Sequence, residues 1–113
     1  MGMMRADVKD MDYSELFSQI REKSRSGTKN DIDEIMRLLN DDDLTIPVTK
    51  AVDFYLGQVT NQEGIGRVEY YLFGGTQIQR NYCTLFFARR HQWDLVDSAF
   101  RLGLIDQIQA YSR

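Results

Sequence analysis

A thiolate nucleophile needs an imidazole within hydrogen-bond reach and a third group to orient that base. Cys83 and His91 are the only cysteine and histidine in the chain. They stand eight positions apart in an unbroken helical pattern, which separates them by about 12 Å of helical rise. The spacing makes Cys83 a small core residue and His91 a link or cap residue, and it argues against an enzyme.

The other candidate constellations fail in the same way. Asp41-Asp42-Asp43 is the densest acidic run. A calcium loop begun at Asp41 requires Gly at its sixth position and Glu at its twelfth, where this chain has Ile46 and Val52. The run is expected to be a solvated turn and cap. Gly64-Ile65-Gly66 starts like a dinucleotide loop, but Glu69 stands where the third glycine belongs and no buried strand precedes it. No cofactor or metal is expected. Arg67, Arg80, Arg89, Arg90 and Arg101, interleaved with Tyr70, Tyr71, Tyr82 and Trp93, could touch phosphates. The sequence isoelectric point of about 5.1 leaves no basic field to steer a nucleic acid. Nucleic-acid association through the arginines of residues 67–101 is therefore the second reading.

The elements that would position these groups read as helices. Asp12 and Glu15 can cap a first helix with Tyr13, Leu16, Phe17 and Ile20 inward, ending near Ser24-Arg25-Ser26-Gly27. Asn30 starts a second, with Ile32, Ile35, Met36 and Leu39 on one stripe, and Asn40 to Asp43 stop it. A third is expected from Pro47 to Thr60, burying Val48, Ala51, Val52, Tyr55, Leu56 and Val59, with Gly57 placed for close packing. Thr60 to Gly64 reads as a loop, and a helix with Ile65, Val68, Tyr71 and Leu72 then runs to Gly74-Gly75. EYYLF, inside it, is the best strand candidate.

Thr76 and Gln79 have the spacing of a capping box, opening a fifth helix loaded with Ile78, Tyr82, Leu85, Phe86 and Phe87 on more than one side. Such a helix belongs between neighbours. A sixth follows, with Trp93, Val96, Ala99 and Phe100 inward and Gly103 as its left-handed stop. Leu104 to Tyr111 forms a last turn or short helix. The expectation is an all-α domain of six or seven short antiparallel helices.

The pattern Ile32-x-x-Ile-Met-x-x-Leu is echoed at Val68-x-x-Tyr-Leu and Val96-x-x-Ala-Phe, shifts of 36 and 28 residues. Within residues 35–57, Leu38-Leu39, Asp42 or Asp43, Val48, Lys50, Ala51 and Leu56-Gly57 resemble one HEAT-type repeat. A weaker copy covers Val68 to Ala88, with Ile78, Arg80 and Ala88 in similar places and Gly74-Gly75 at its turn. The resemblance covers about half the chain. It implies a HEAT-like helical-hairpin array, an α-solenoid, with no catalytic residues, and makes the third and fifth helices neighbours.

On that pairing, Lys50 and Asp53 would join Gln77, Arg80, Asn81 and Thr84 in one mixed-charge, partner-binding face. The expected function is a noncatalytic protein-interaction or scaffolding module that binds a protein partner or itself. The chain has 113 residues, 42% of them hydrophobic, and a net charge of −3. That suits one domain over residues 13–113 behind a loose segment at residues 1–12. Charge is uneven: residues 1–56 hold 8 Lys/Arg against 12 Asp/Glu, and the remainder 6 against 5. A single cysteine excludes an intramolecular disulfide, and no apolar run suits a signal peptide or membrane span. The expected setting is cytoplasmic.

Overall fold

The computed structural model describes residues 13–111. The expected loose segment at residues 1–12 and the Asp12 cap lie outside them. The described residues form seven helices and no strand: α1 (Tyr13–Ser26), α2 (Lys29–Leu39), α3 (Ile46–Leu56), α4 (Gln62–Gly74), α5 (Gln77–Arg89), α6 (Trp93–Arg101) and α7 (Gln107–Tyr111). EYYLF lies within α4.

The helix ends follow local chemistry. Thr28 Oγ1 accepts the Asp31 amide at 3.1 Å, starting α2. Thr76 and Gln79 form the expected reciprocal box, Thr76 N donating to Gln79 Oε1 at 2.8 Å. Asp106 and Gln109 repeat the arrangement at the start of α7, with bonds of 2.8 and 2.7 Å. Gly103, at φ +77, closes α6, with Leu104 N bonded to Ala99 O and Gly103 N to Phe100 O. The end of α5 has the same geometry, but His91 occupies the left-handed position at φ 59, and Gln92 N bonds to Phe87 O at 2.9 Å.

Two boundaries differ from expectation. Helix α3 ends at Leu56, and Gly57 is its exposed cap, not a packing residue. Val59 stays fully buried beyond the helix because the tightened turn returns it to the core. Helix α4 begins at Gln62, inside the expected loop. Gly64 is a buried helical residue there: a Cβ on it would lie 2.6 Å from Val59 Cγ1 and 2.9 Å from Gly27 O. The glycine pair that imitated a nucleotide loop thus includes a point of close helix approach.

The core runs through Leu16, Ile20, Ile32, Ile35, Met36, Val48, Val52, Leu72, Cys83, Phe86, Phe87, Val96 and Ala99. Helix α5 packs against α2, α3, α4, α6 and α7, as its many-sided apolar load requires. Leu85 is only half-buried, and Trp93, at the first residue of α6, is exposed and not inward-facing.

Polar ties join helices two apart in the chain. Tyr13 OH meets Thr45 Oγ1 at 2.9 Å, linking the starts of α1 and α3. Asp33 on α2 accepts Arg67 Nε at 2.7 Å and Tyr71 OH at 2.8 Å from α4. Asp53 on α3 accepts Arg89 Nη1 at 2.6 Å and Nη2 at 3.0 Å from α5.

Candidate partner-binding face

The buried side of α3 is Val48, Ala51, Val52 and Leu56. On the opposite side, Ile46, Lys50 and Phe54 follow at i, i+4 and i+8, so they stack along one stripe. Ile46 is 70% exposed and Phe54 64% exposed. On helix α5 the half-buried Ile78, Tyr82 and Leu85 and the exposed Arg89 follow at i, i+4, i+7 and i+11 along one stripe, which Arg89 ties to α3 through Asp53. The Asp53–Arg89 pair lies along the seam between the stripes. The Asp53 hydrogen bond raises the Arg89 pKa further, so the guanidinium stays charged throughout the working range.

At the N-terminal end of α5 the surface dips into an open groove of about 570 Å³. Asn40, Asp41, Thr76, Gln77, Asn81 and Tyr82 are among its lining residues. Thr76 Oγ1 donates to Asn40 Oδ1 at 2.8 Å, and Gln109 Nε2 donates to Asn81 Oδ1 at 3.5 Å. A smaller hollow of about 240 Å³ shares Gln77 and Gln109 and continues past Arg80 to Asp106.

The expected face residues are thus only partly brought together. Lys50 is exposed on the α3 stripe and Asp53 stands in the seam. Gln77 and Asn81 line the groove. Thr84 is fully buried, its hydroxyl donated to Arg80 O at 2.7 Å, so it is core and touches no partner. Arg80 is half-buried and committed to the backbone, donating to Leu104 O at 3.0 Å and Gly75 O at 2.7 Å. The residues missed in the sequence are Ile46, Phe54, Asn40, Asp41, Tyr82 and Gln109. The i, i+4, i+8 stripe was a usable signal for the first two, and Asp106-x-x-Gln109 repeats the spacing of Thr76-x-x-Gln79.

Arg67 and Arg90 are also engaged internally. Arg67 forks onto Asp33 and stacks over Tyr70 at 3.9 Å. Burial pushes the Asp33 carboxyl up, but the bonds from Arg67 and Tyr71 outweigh it and hold the pKa below its ordinary value. Arg90 Nη2 donates to Gly57 O at 2.9 Å and Val59 O at 2.7 Å, with its guanidinium 3.6 Å from the Phe86 ring centre. Arg101 is exposed.

Cys83 is buried, and burial pushes its thiol well above the ordinary range, away from nucleophilic use. His91 is exposed on the left-handed link. Asp41 Oδ1 accepts the Asp43 amide at 2.7 Å, and no metal-holding group of His, Cys, Asp or Glu occurs among the described residues. No described helix is long and apolar enough to cross a membrane. No family model, curated protein or solved structure matches the chain.

Proposed function

We propose that the chain is a noncatalytic protein-interaction or scaffolding module of HEAT-like build, using the outer side of α3 and α5 as its contact face. The observation that carries this is the exposure of Ile46 and Phe54 on either side of Lys50, next to the half-buried Ile78, Tyr82 and Leu85 of α5. Large apolar side chains grouped on one rigid surface and edged by charge suit a protein partner, where aromatic and aliphatic anchors supply most of the affinity. The repeat reading is supported by the ties between alternate helices. Those between α2 and α4, and between α3 and α5, join residues 34 to 38 positions apart, about one helical hairpin. Arg67, Arg80, Arg89 and Arg90 spend guanidinium donors on carboxylates or carbonyls inside the fold, which favours a protein over a nucleic acid as partner.

The test is affinity purification from the native host with the unmodified chain and with Phe54→Glu, identifying retained proteins at low and high salt. Phe54 is on the surface, so the substitution should change stability by less than about 0.5 kcal/mol. Expected is a salt-tolerant partner, or a second copy of the chain, held by the first bait and lost from the second. An identical retained set from two equally folded baits overturns the assignment of the face. Retention that collapses steeply with salt and brings down nucleic acid overturns the class of partner.

A further inference from the structure

The groove at the start of α5 has more hydrogen-bonding capacity than the fold uses. Asn40 and Asn81 have their Oδ1 atoms occupied, by Thr76 and Gln109, and among the described residues neither Nδ2 group has a partner. Among the described residues, the Gln77 carboxamide and the Tyr82 hydroxyl also take none. Four such groups along one open surface have the chemistry of a polypeptide backbone turned outward, amide donors and acceptors at intervals. Ile78 and the Tyr82 ring add apolar contact between them.

Two features select the occupant. The depression is open and runs on, through Gln77 and Gln109, into the hollow beside Arg80 and Asp106. That elongated form suits an extended chain better than a compact molecule, which needs enclosure over most of its surface. At the other end Asp41 lines the groove, no lysine or arginine is among the described residues of that lining, and Asp42 follows on the exposed turn. In the adjoining hollow Asp106 shares the lining with Arg80, whose donors are committed to Gly75 and Leu104. The charge asymmetry favours a cationic side chain at the Asp41 end.

We propose that this groove binds an extended, lysine- or arginine-bearing peptide segment of a partner protein, its main chain paired with Asn40, Gln77 and Asn81 and its basic side chain with Asp41. The proposal rests on the reading of the chain as a protein-binding module and names the chemistry of what it binds.

The test is selection of a randomised linear octapeptide library on the folded chain, followed by affinity measurement of enriched peptides against variants. Asp41→Asn keeps the oxygen that accepts the Asp43 amide and removes the charge. Gln77→Ala changes an exposed residue, and Asn81→Leu fills the groove floor. Expected are enriched peptides that carry Lys or Arg and lose about tenfold in affinity with Asn81→Leu and with Asp41→Asn, and less with Gln77→Ala. If Asn81→Leu melts early, the other two variants carry the decision. No enrichment, enriched peptides without basic residues, or affinities indifferent to Asp41→Asn and Gln77→Ala each overturn the proposal. Phe54 is not among the groove-lining residues, so peptide binding that survives Phe54→Glu separates the groove from the α3 stripe of the contact face. Loss of the protein partner with peptide binding intact would leave each assignment standing by itself.

Discussion

Replacing Arg90 by alanine removes a side chain that holds the end of one helix from the end of another. Where α3 stops, the carbonyls of Gly57 and Val59 have no helical partner, and Arg90 Nη2 reaches them at 2.9 and 2.7 Å. The guanidinium also lies 3.6 Å from the centre of the Phe86 ring. Hydrogen bonds to a charged group contribute about 1.5–3 kcal/mol each, and a partly desolvated cation over a ring about 0.5–2 kcal/mol. These do not add in full. The two carbonyls share one nitrogen, the link is partly open to water that can replace it, and burying the cation has its own cost, seen in the lowered Arg90 pKa. A net loss of about 2–4 kcal/mol follows, a large part of the ~5–15 kcal/mol that holds a domain of this size. In a thermal melt followed by circular dichroism this is a drop of roughly 10 °C. Arg90→Lys should recover less than half, because an ammonium neither stacks as a plane nor presents a fork. A melt of Arg90→Ala within about 2 °C of the parent, or full recovery by lysine, refutes the assignment of Arg90 as the cap of α3.

Asp33 has a depressed folded-state pKa, so its pair with Arg67 stabilises the fold above the ordinary carboxylate value of about 3.9 and that contribution is lost as pH falls through the lower folded value. Melts of the parent and Asp33→Asn should therefore converge as the pH is lowered from about 6 to about 2, and parallel curves would contradict the sign. His91→Gly relieves a left-handed position that disfavours a side chain by about 1–2 kcal/mol, offset in part by extra freedom of the unfolded glycine. A gain of about 0.5–1 kcal/mol in denaturant unfolding is expected, and a loss would mean that the imidazole makes a compensating contact. Cys83 in the native protein should react with a thiol reagent only as fast as the fold opens, and labelling rates independent of mild denaturant would show a thiol reachable from the surface.

The sequence displayed what depends on side-chain type over a few neighbouring positions. The Thr76–Gln79 box, the stop at Gly103, the buried Cys83 and the central place of α5 could all be read in that way. Hidden were the features whose partner is a backbone carbonyl, because every residue carries that group alike. Arg80 looked like a surface cation, yet its partners are the carbonyls of Gly75 and Leu104. Thr84 looked polar, but a helical threonine can satisfy its own hydroxyl one turn back, on Arg80 O, and so enter the core. The early end of α3 had a similar cause: Val59 keeps the inward period although the helix has already broken, since a turn can deliver a side chain to the same place. Trp93 fits the stripe of α6 but begins the helix, where less of the neighbouring surface covers it.

The second amide atom of Gln79 has a bearing on how the molecule is assembled in time. Its Oε1 accepts the Thr76 amide at 2.8 Å, and its Nε2 donates to the buried Met36 carbonyl on α2 at 3.0 Å. A capping box ordinarily forms within its own turn and can nucleate a helix in isolation. Here the same carboxamide is shared with an element that was synthesised 43 residues earlier. The first turn of α5 and its docking on α2 therefore share one side chain. Until α2 is in place, Nε2 has only water, and the turn lacks the contact that fixes the orientation of the glutamine. The helix that contacts most of the others thus completes the hydrogen bonding of its first turn only when docked on α2, which ties its start to the N-terminal half of the chain.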